Sequence, residues 1–216
     1  MTFVRFKRSS LNNLNGLFFL LFLGSCYVPD NFGAEIRINR DGGYGITYSG
    51  DLIWAPLFGQ ILRGELNQEA IVDQIDAFTA DLRQDRRFTF VASRGQGRFQ
   101  VRYERTGQIS RTQVINFVRR NARIFELQAK KDGQVHFRGR GTSNLQAEQL
   151  ENMGLFTRGL LRIVTDAPVH DHNATSVRQS QIPGYFIYDW RMTSFRQPEP
   201  KLTLQLSGEL STSPGQ

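Results

Sequence analysis

The sequence predicts an α+β domain: a curved antiparallel sheet packed on one long helix, with a second, short helix. Three observations lead there. Apolar and polar residues alternate in several separate blocks, as they do along half-buried strands. A single stretch, residues 67–83, places Ile71, Ile75, Phe78 and Leu82 at the 3.6-residue helical period. Glycine-containing turns punctuate the alternating blocks, so neighbouring strands are joined by hairpins.

The elements follow in order. Ile36 and Ile38 alternate with Arg37 and Asn39, Asp41-Gly42-Gly43 supplies turn residues, and Tyr44, Ile46 and Tyr48 alternate on the return. Residues 52–64, LIWAPLFGQILRG, are apolar but interrupted by Pro56 and two glycines, which fits a buried loop, a short helix or a lid. Asn67 is a suitable cap for the long helix. Phe88 and Phe90, then Phe99, Val101 and Tyr103, make strands around Gly95-Gln96-Gly97. A less regular piece holds Val114, Ile115, Phe117 and Val118. Phe125, Leu127 and Ala129 alternate next, turn at Asp132-Gly133, and continue as Val135 and Phe137. Residues 144–153 read as a short helix capped by Asn144. Leu160–Val164, then Phe186, Tyr188, Trp190 and Met192, then Leu202, Leu204 and Leu206 complete the strands.

Ahead of this domain lies a secretory signal. Arg5, Lys7 and Arg8 precede the apolar run Leu17–Leu23, which is too short to span a bilayer, and Leu23-Gly24-Ser25-Cys26 matches a bacterial lipobox. The expectation is cleavage before Cys26 and attachment of diacylglyceryl and palmitate-type chains there. Two or three chains hold a protein far more firmly than one, at about 0.8 kcal/mol per buried methylene. Residues 1–25 are then the signal peptide, 26–34 a lipidated tether broken by Pro29 and Gly33, 35–207 one α+β domain and 208–216 a polar tail. Tyr27 rather than an aspartate follows the cysteine. In an organism with two membranes that predicts the periplasmic face of the outer membrane.

Composition narrows the function. Cys26 is the one cysteine in 216 residues, so the exported domain has no internal disulfide and no catalytic thiol once acylated. No GxSxG, HExxH, P-loop or GxGxxG is present, which leaves no local support for hydrolase, metalloprotease or nucleotide chemistry and implies no cofactor. His170 and His172 form a two-imidazole set needing a third ligand such as Asp166 or His136, and three histidines are too few to specify a metal site.

Charge is unevenly spread. Residues 27–85 hold 4 basic and 10 acidic side chains, residues 86–140 hold 14 and 3. Arginine dominates, and its planar fork suits phosphate or carboxylate. An exported location argues against nucleic acid. The expected partners of the basic block are anionic lipid headgroups, acidic envelope proteins, or the acidic N-terminal block of the same chain. Arg98, Arg102, Arg138 and Arg140 are the expected members of one basic face.

The 17 phenylalanines, 6 tyrosines and 2 tryptophans serve either as core or as the lining of an apolar cavity between sheet and helix. The second option names Trp54, Phe58, Phe78, Phe186 and Trp190 as lining, with arginines at the rim and residues 52–64 as lid. Its size would be several hundred Å³, within the ~300–1,000 Å³ of ordinary ligand sites.

Beyond the lipobox, the hairpin RINRDGGYGITYSG, the segments VTDAPVHDHNA and GYFIYDWRM with Asn173 and Trp190, and the leucine-alternating last strand resemble the LppM-type domain of bacterial envelope lipoproteins. The matching pieces are residues 35–50 and 160–206. The resemblance implies an α+β domain on the cell envelope, an association with membrane lipids, and no catalytic residues to carry over. The sequence reading is thus a non-enzymatic lipoprotein anchored at Cys26 that binds lipid or an anionic envelope component. The alternative is an assembly lipoprotein that docks a protein partner through its basic face.

Overall fold

The computed structural model describes residues 27–119 and 122–207. Strands β1 (Tyr27–Ile38) and β2 (Gly43–Trp54) open the chain, followed by helices α1 (Ala55–Leu62) and α2 (Gln68–Gln84). Then come β3 (Phe88–Ser93), β4 (Arg98–Gln108), β5 (Val114–Arg119), β6 (Ala122–Ala129), β7 (Gln134–Gly139) and α3 (Asn144–Asn152). The chain finishes with β8 (Gly159–Thr165), β9 (Val169–His172), β10 (Ser176–Gln179), β11 (Phe186–Met192) and β12 (Lys201–Gln205).

The α+β class holds, but the arrangement differs from one curved sheet over one helix. The described residues form two sheets, ordered β10-β11-β8-β1-β2-β4-β3 and β5-β6-β7-β12-β9. The larger one is mixed, because β1 pairs parallel with β8 across Phe32–Ile38 and Gly159–Thr165. The physical reason is coverage. Helix α2 buries only Leu82 completely, so its narrow stripe cannot cover either apolar sheet face. The two sheets cover each other instead. A chain of ring contacts runs through the resulting core: Phe32–Tyr48 at 5.7 Å, Tyr48–Phe117 at 4.8 Å, Phe117–Phe125 at 5.0 Å, Phe125–Phe137 at 6.0 Å and Phe137–Trp190 at 5.8 Å. It starts on the larger sheet, crosses the smaller and returns. Most of the aromatic content is therefore core.

The tether expected over 26–34 is corrected from Tyr27 onward, since β1 begins there and Tyr27 pairs with Trp54. Pro29 is tolerated because β8 reaches only as far as Phe32, leaving residues 27–30 with β2 as their single neighbour and Pro29 without a second ladder to serve. A bulge between Asp30 and Gly33, with Asn31 at φ +47°, then exchanges the faces of the strand. Tyr27 points into the core before it, and Phe32, Ala34, Ile36 and Ile38 after it. Gly50 accommodates the bulge: a Cβ there would stand 2.6 Å from the Phe32 Cα.

Helix α1 occupies the 52–64 segment and takes Pro56 in its first turn, where proline is well suited. With α3 and Phe195 it encloses a second, smaller apolar cluster around Val28, Ile53, Phe58, Leu150 and Leu155. The cap of α3 is Ser143 rather than Asn144. Its hydroxyl accepts from the Gln146 backbone N–H and the Gln146 side chain accepts from the Ser143 N–H, a reciprocal capping box. The cap of α2 is Asn67 as expected, accepting from the Ala70 N–H at 2.8 Å.

Candidate functional site

Among the described residues an apolar cavity is present, but not under α2. It lies at the Tyr27 end of β1, between the two sheets and α3, and measures about 90 Å³. Tyr27, Phe32 and Ala34 of β1, Phe125 of β6, Leu150 of α3 and Leu161 of β8 line it, with polar groups from Arg140, Gln146, Thr157 and Glu199. The bulge at Asn31 shapes this site, because it turns both Tyr27 and Phe32 inward from one strand. Its lining contains no histidine, cysteine or aspartate. Tyr48, also in the lining, has its phenol pKa driven well upward, first by burial and then by Asp51 and Asp30. Its O–H donates to the Asp51 carbonyl at 2.9 Å. The lining is thus mainly apolar, with its polar groups supplied by Arg140, Gln146, Thr157 and Glu199.

The five aromatics expected to line a pocket are not brought together there. Trp54 stacks between Tyr27, at 4.9 Å, and Phe78, at 5.1 Å, and Phe78 reaches Phe99 at 6.4 Å. These rings attach α2 to the larger sheet. Phe58 belongs to the second cluster, beneath the Arg98 guanidinium at 5.2 Å. Phe186 is exposed near the sheet edge, and Trp190 is buried in the main core. Beside α2 that face of the larger sheet is covered by the second sheet, where Tyr103 of β4 meets Phe117 of β5 at 4.8 Å, and sequence periodicity does not assign those strands to a layer.

The arginines do not make one face either. Arg98 and Arg102 leave β4 on the outer side of the larger sheet, Arg138 leaves β7 on the outer side of the smaller one, and Arg140 borders the cavity. Arg102 lies over the Phe90 ring at 5.5 Å. Arg98 and Arg87 of the basic block stand 3.9 Å from Asp30 and 3.8 Å from Asp85 of the acidic N-terminal block, while Arg158 and Arg162, outside the basic block, make closer pairs. Buried Asp30 accepts from Arg158 Nε at 3.2 Å and Nη2 at 3.3 Å, with Arg98 Nη1 at 3.9 Å. That hydrogen bond raises the Arg158 pKa further above its ordinary value. Arg162 forks onto Asp189 at 2.7 and 3.2 Å.

The histidine set does not converge. His172 packs edge-on to Tyr188 at 5.0 Å, and Asp166 is engaged by the Arg40 backbone and side chain at 2.7 and 2.8 Å. His136 stands on β7, its Nδ1 3.3 Å from the Thr203 hydroxyl. Among the described residues no three His, Cys, Asp or Glu side chains are grouped to hold a metal ion.

Asn173 and Trp190, singled out in sequence, do meet. The indole N–H donates to Asn173 Oδ1 at 2.8 Å, and the same oxygen accepts from the Lys201 backbone N–H at 2.8 Å. Asn173 Nδ2 donates to the Glu199 carbonyl at 2.8 Å. One amide thereby ties β11 of the larger sheet to the start of β12 in the smaller, close to Pro200 of the cavity wall. Its role is structural. Cys26 and the signal lie outside the described residues, and among those residues no helix is long and apolar enough to cross a membrane.

No family model matches the sequence, and no curated protein matches it. Among solved structures the chain is similar to the NMR structure of the folded domain of Mycobacterium tuberculosis LppM, at 10% sequence identity and a TM-score of 0.37, over 88% of this chain and 95% of that one. This weak and partial likeness is to the same protein type that the hairpin, Asn173 and Trp190 segments resemble.

Proposed function

We propose that this chain is a non-enzymatic lipoprotein of the cell envelope, acylated at Cys26, that holds the apolar end of an envelope component in the cavity beside α3. The carrying observation is that the cavity lining starts at Tyr27, the residue after the lipobox cysteine, and is mainly apolar. A volume of about 90 Å³ is well below the ~300 Å³ at the lower end of ordinary ligand sites, so it fits the tip of an acyl chain and not an entire lipid. Tyr27 rather than an aspartate at the position after Cys26 supports sorting to the outer membrane in an organism with two membranes.

The test is uptake of a fluorescent fatty acid by the purified full-length protein and by its Ala34→Leu variant, which fills the cavity from β1. Binding should weaken at least about tenfold, or 1.4 kcal/mol, with the melting temperature preserved. Equal uptake by both proteins would refute the cavity as the site.

One observation favours a protein partner as a second reading. Among the described residues strand β10 is a free edge of the larger sheet, all four of its residues are exposed, and Val177, Ile182 and Phe186 lie exposed around it. An extended segment of a partner adds readily to such an edge. Val177→Lys should then abolish co-purification of that partner. The divided arginines give this reading less support than the edge does.

A further inference from the structure

We infer that the α1–α3 end of the molecule is a membrane-contacting face, seated on the bilayer through Leu62, Leu145 and Phe156. This rests on the acylation of Cys26 proposed above and specifies what the folded domain does once anchored. The first step is reach. Because β1 begins at Tyr27, hydrogen-bonded in register with Trp54 and only 4% exposed, a single peptide step of about 3.8 Å separates the acylated residue from the folded body. A lipoprotein with a long tether samples many orientations. Here the bilayer is held against whichever surface surrounds Tyr27.

That surface is built from α1 and α3. Trp54, the partner of Tyr27, runs directly into α1, while Gln146 and Leu150 of α3 line the same cavity as Tyr27. The middle of α1 meets the C-terminal end of α3, since a Cβ on Gly59 would stand 3.1 Å from the Met153 sulfur. Three large apolar side chains are left in water at this end. Leu62 closes α1 and is 53% exposed, Leu145 precedes Gln146 and is 65% exposed, and Phe156 precedes Thr157 of the cavity wall and is 56% exposed. Exposed apolar groups on the elements that flank an anchoring point mark a surface that another phase covers.

Charge at this end identifies the contact as apolar in kind. Arg63 pairs with Glu65, Arg158 with Asp30, and Arg196 with Glu151 through its Nη2 at 2.7 Å, so these guanidinium groups are already matched by carboxylates. The seating should therefore persist in high salt and on neutral lipid, unlike adsorption driven by arginine and anionic headgroups.

Depth measurement on the acylated full-length protein in phosphatidylcholine vesicles tests this. With Cys26 modified the chain has no other cysteine, so one introduced by Leu145→Cys or Phe156→Cys takes a nitroxide alone, and Ile182→Cys serves as a control from the β10–β11 connection. Labels at 145 and 156 should show several-fold higher collision with oxygen than with a water-soluble nickel chelate, in low and high salt, and the label at 182 the reverse. Vesicle-bound protein whose labels at 145 and 156 match that at 182, or lose protection in high salt, overturns this face while leaving the anchor intact. Protein that does not float with vesicles overturns the anchor, and this inference with it.

Discussion

Replacing Asn173 by alanine removes a clamp between the two sheets, and its cost can be worked out bond by bond. Trp190 is 3% exposed, so its indole N–H loses the 2.8 Å bond to Oδ1 with no water to replace it, a penalty of about 1–3 kcal/mol. The bonds to the Lys201 N–H and the Glu199 carbonyl are nearer solvent, and water recovers much of each, leaving about 0.5 kcal/mol apiece. The total is about 2–4 kcal/mol, which in a domain of this size lowers the melting temperature by about 4–16 °C. Thermal unfolding followed by circular dichroism reads it. Asn173→Asp, which keeps an acceptor for the indole, should recover part of the loss. Combining Asn173→Ala with Trp190→Phe removes the orphaned donor, so the double variant should be more stable than the sum of the singles implies, by at least about 0.5 kcal/mol. An Asn173→Ala protein melting within about 2 °C of wild type, or strictly additive variants, would refute the clamp.

Two further outcomes follow from the core and from titration. Phe117, fully buried and in ring contact with Tyr48, Phe88, Tyr103 and Phe125, joins the two sheets, so Phe117→Ala should cost about 3–5 kcal/mol, seen as a lower urea midpoint; a loss below about 1 kcal/mol would mean the sheets do not share that core. Burial, then Lys130 and Arg138, hold the His136 imidazole below its ordinary pKa, so the unfolded chain binds this proton more readily than the folded one. Stability should fall as pH drops below about 6.5, and His136→Gln should flatten that slope; parallel pH profiles for the two proteins would show that His136 is not responsible.

Much of the local structure was readable because local chemistry determines it. Asp41-Gly42-Gly43, Gly95-Gln96-Gly97 and Asp132-Gly133 all close hairpins, and Asn67 starts α2, each being decided within a few residues. The capping box at Ser143 and Gln146 was equally available in sequence and outranks Asn144. Layering was not readable. Whether Phe117 and Phe137 face a helix or another sheet depends on pairings such as β1 with β8, which join residues over 120 positions apart and leave no mark on periodicity. The same holds for the site. Its cavity is assembled from β1, β6, α3, β8 and the segment around Pro200, and a strand that flips its faces at Asn31 defeats simple alternation exactly where the lining begins. Pro29 read as a strand breaker because sequence does not reveal that β1 has only one neighbour there. Asn173 and Trp190 were legible as a pair, yet their meaning as an inter-sheet bond required the fold.

The anchored reading depends on the chemical state of one residue, which mass spectrometry of the mature protein extracted from its native membrane measures directly. The predicted result is an N-terminal peptide beginning at Cys26, carrying a diacylglyceryl thioether and an acylated or free α-amine, and absent from a Cys26→Ser variant. A mature N-terminus at any other position, or Cys26 recovered as a free thiol, would contradict it.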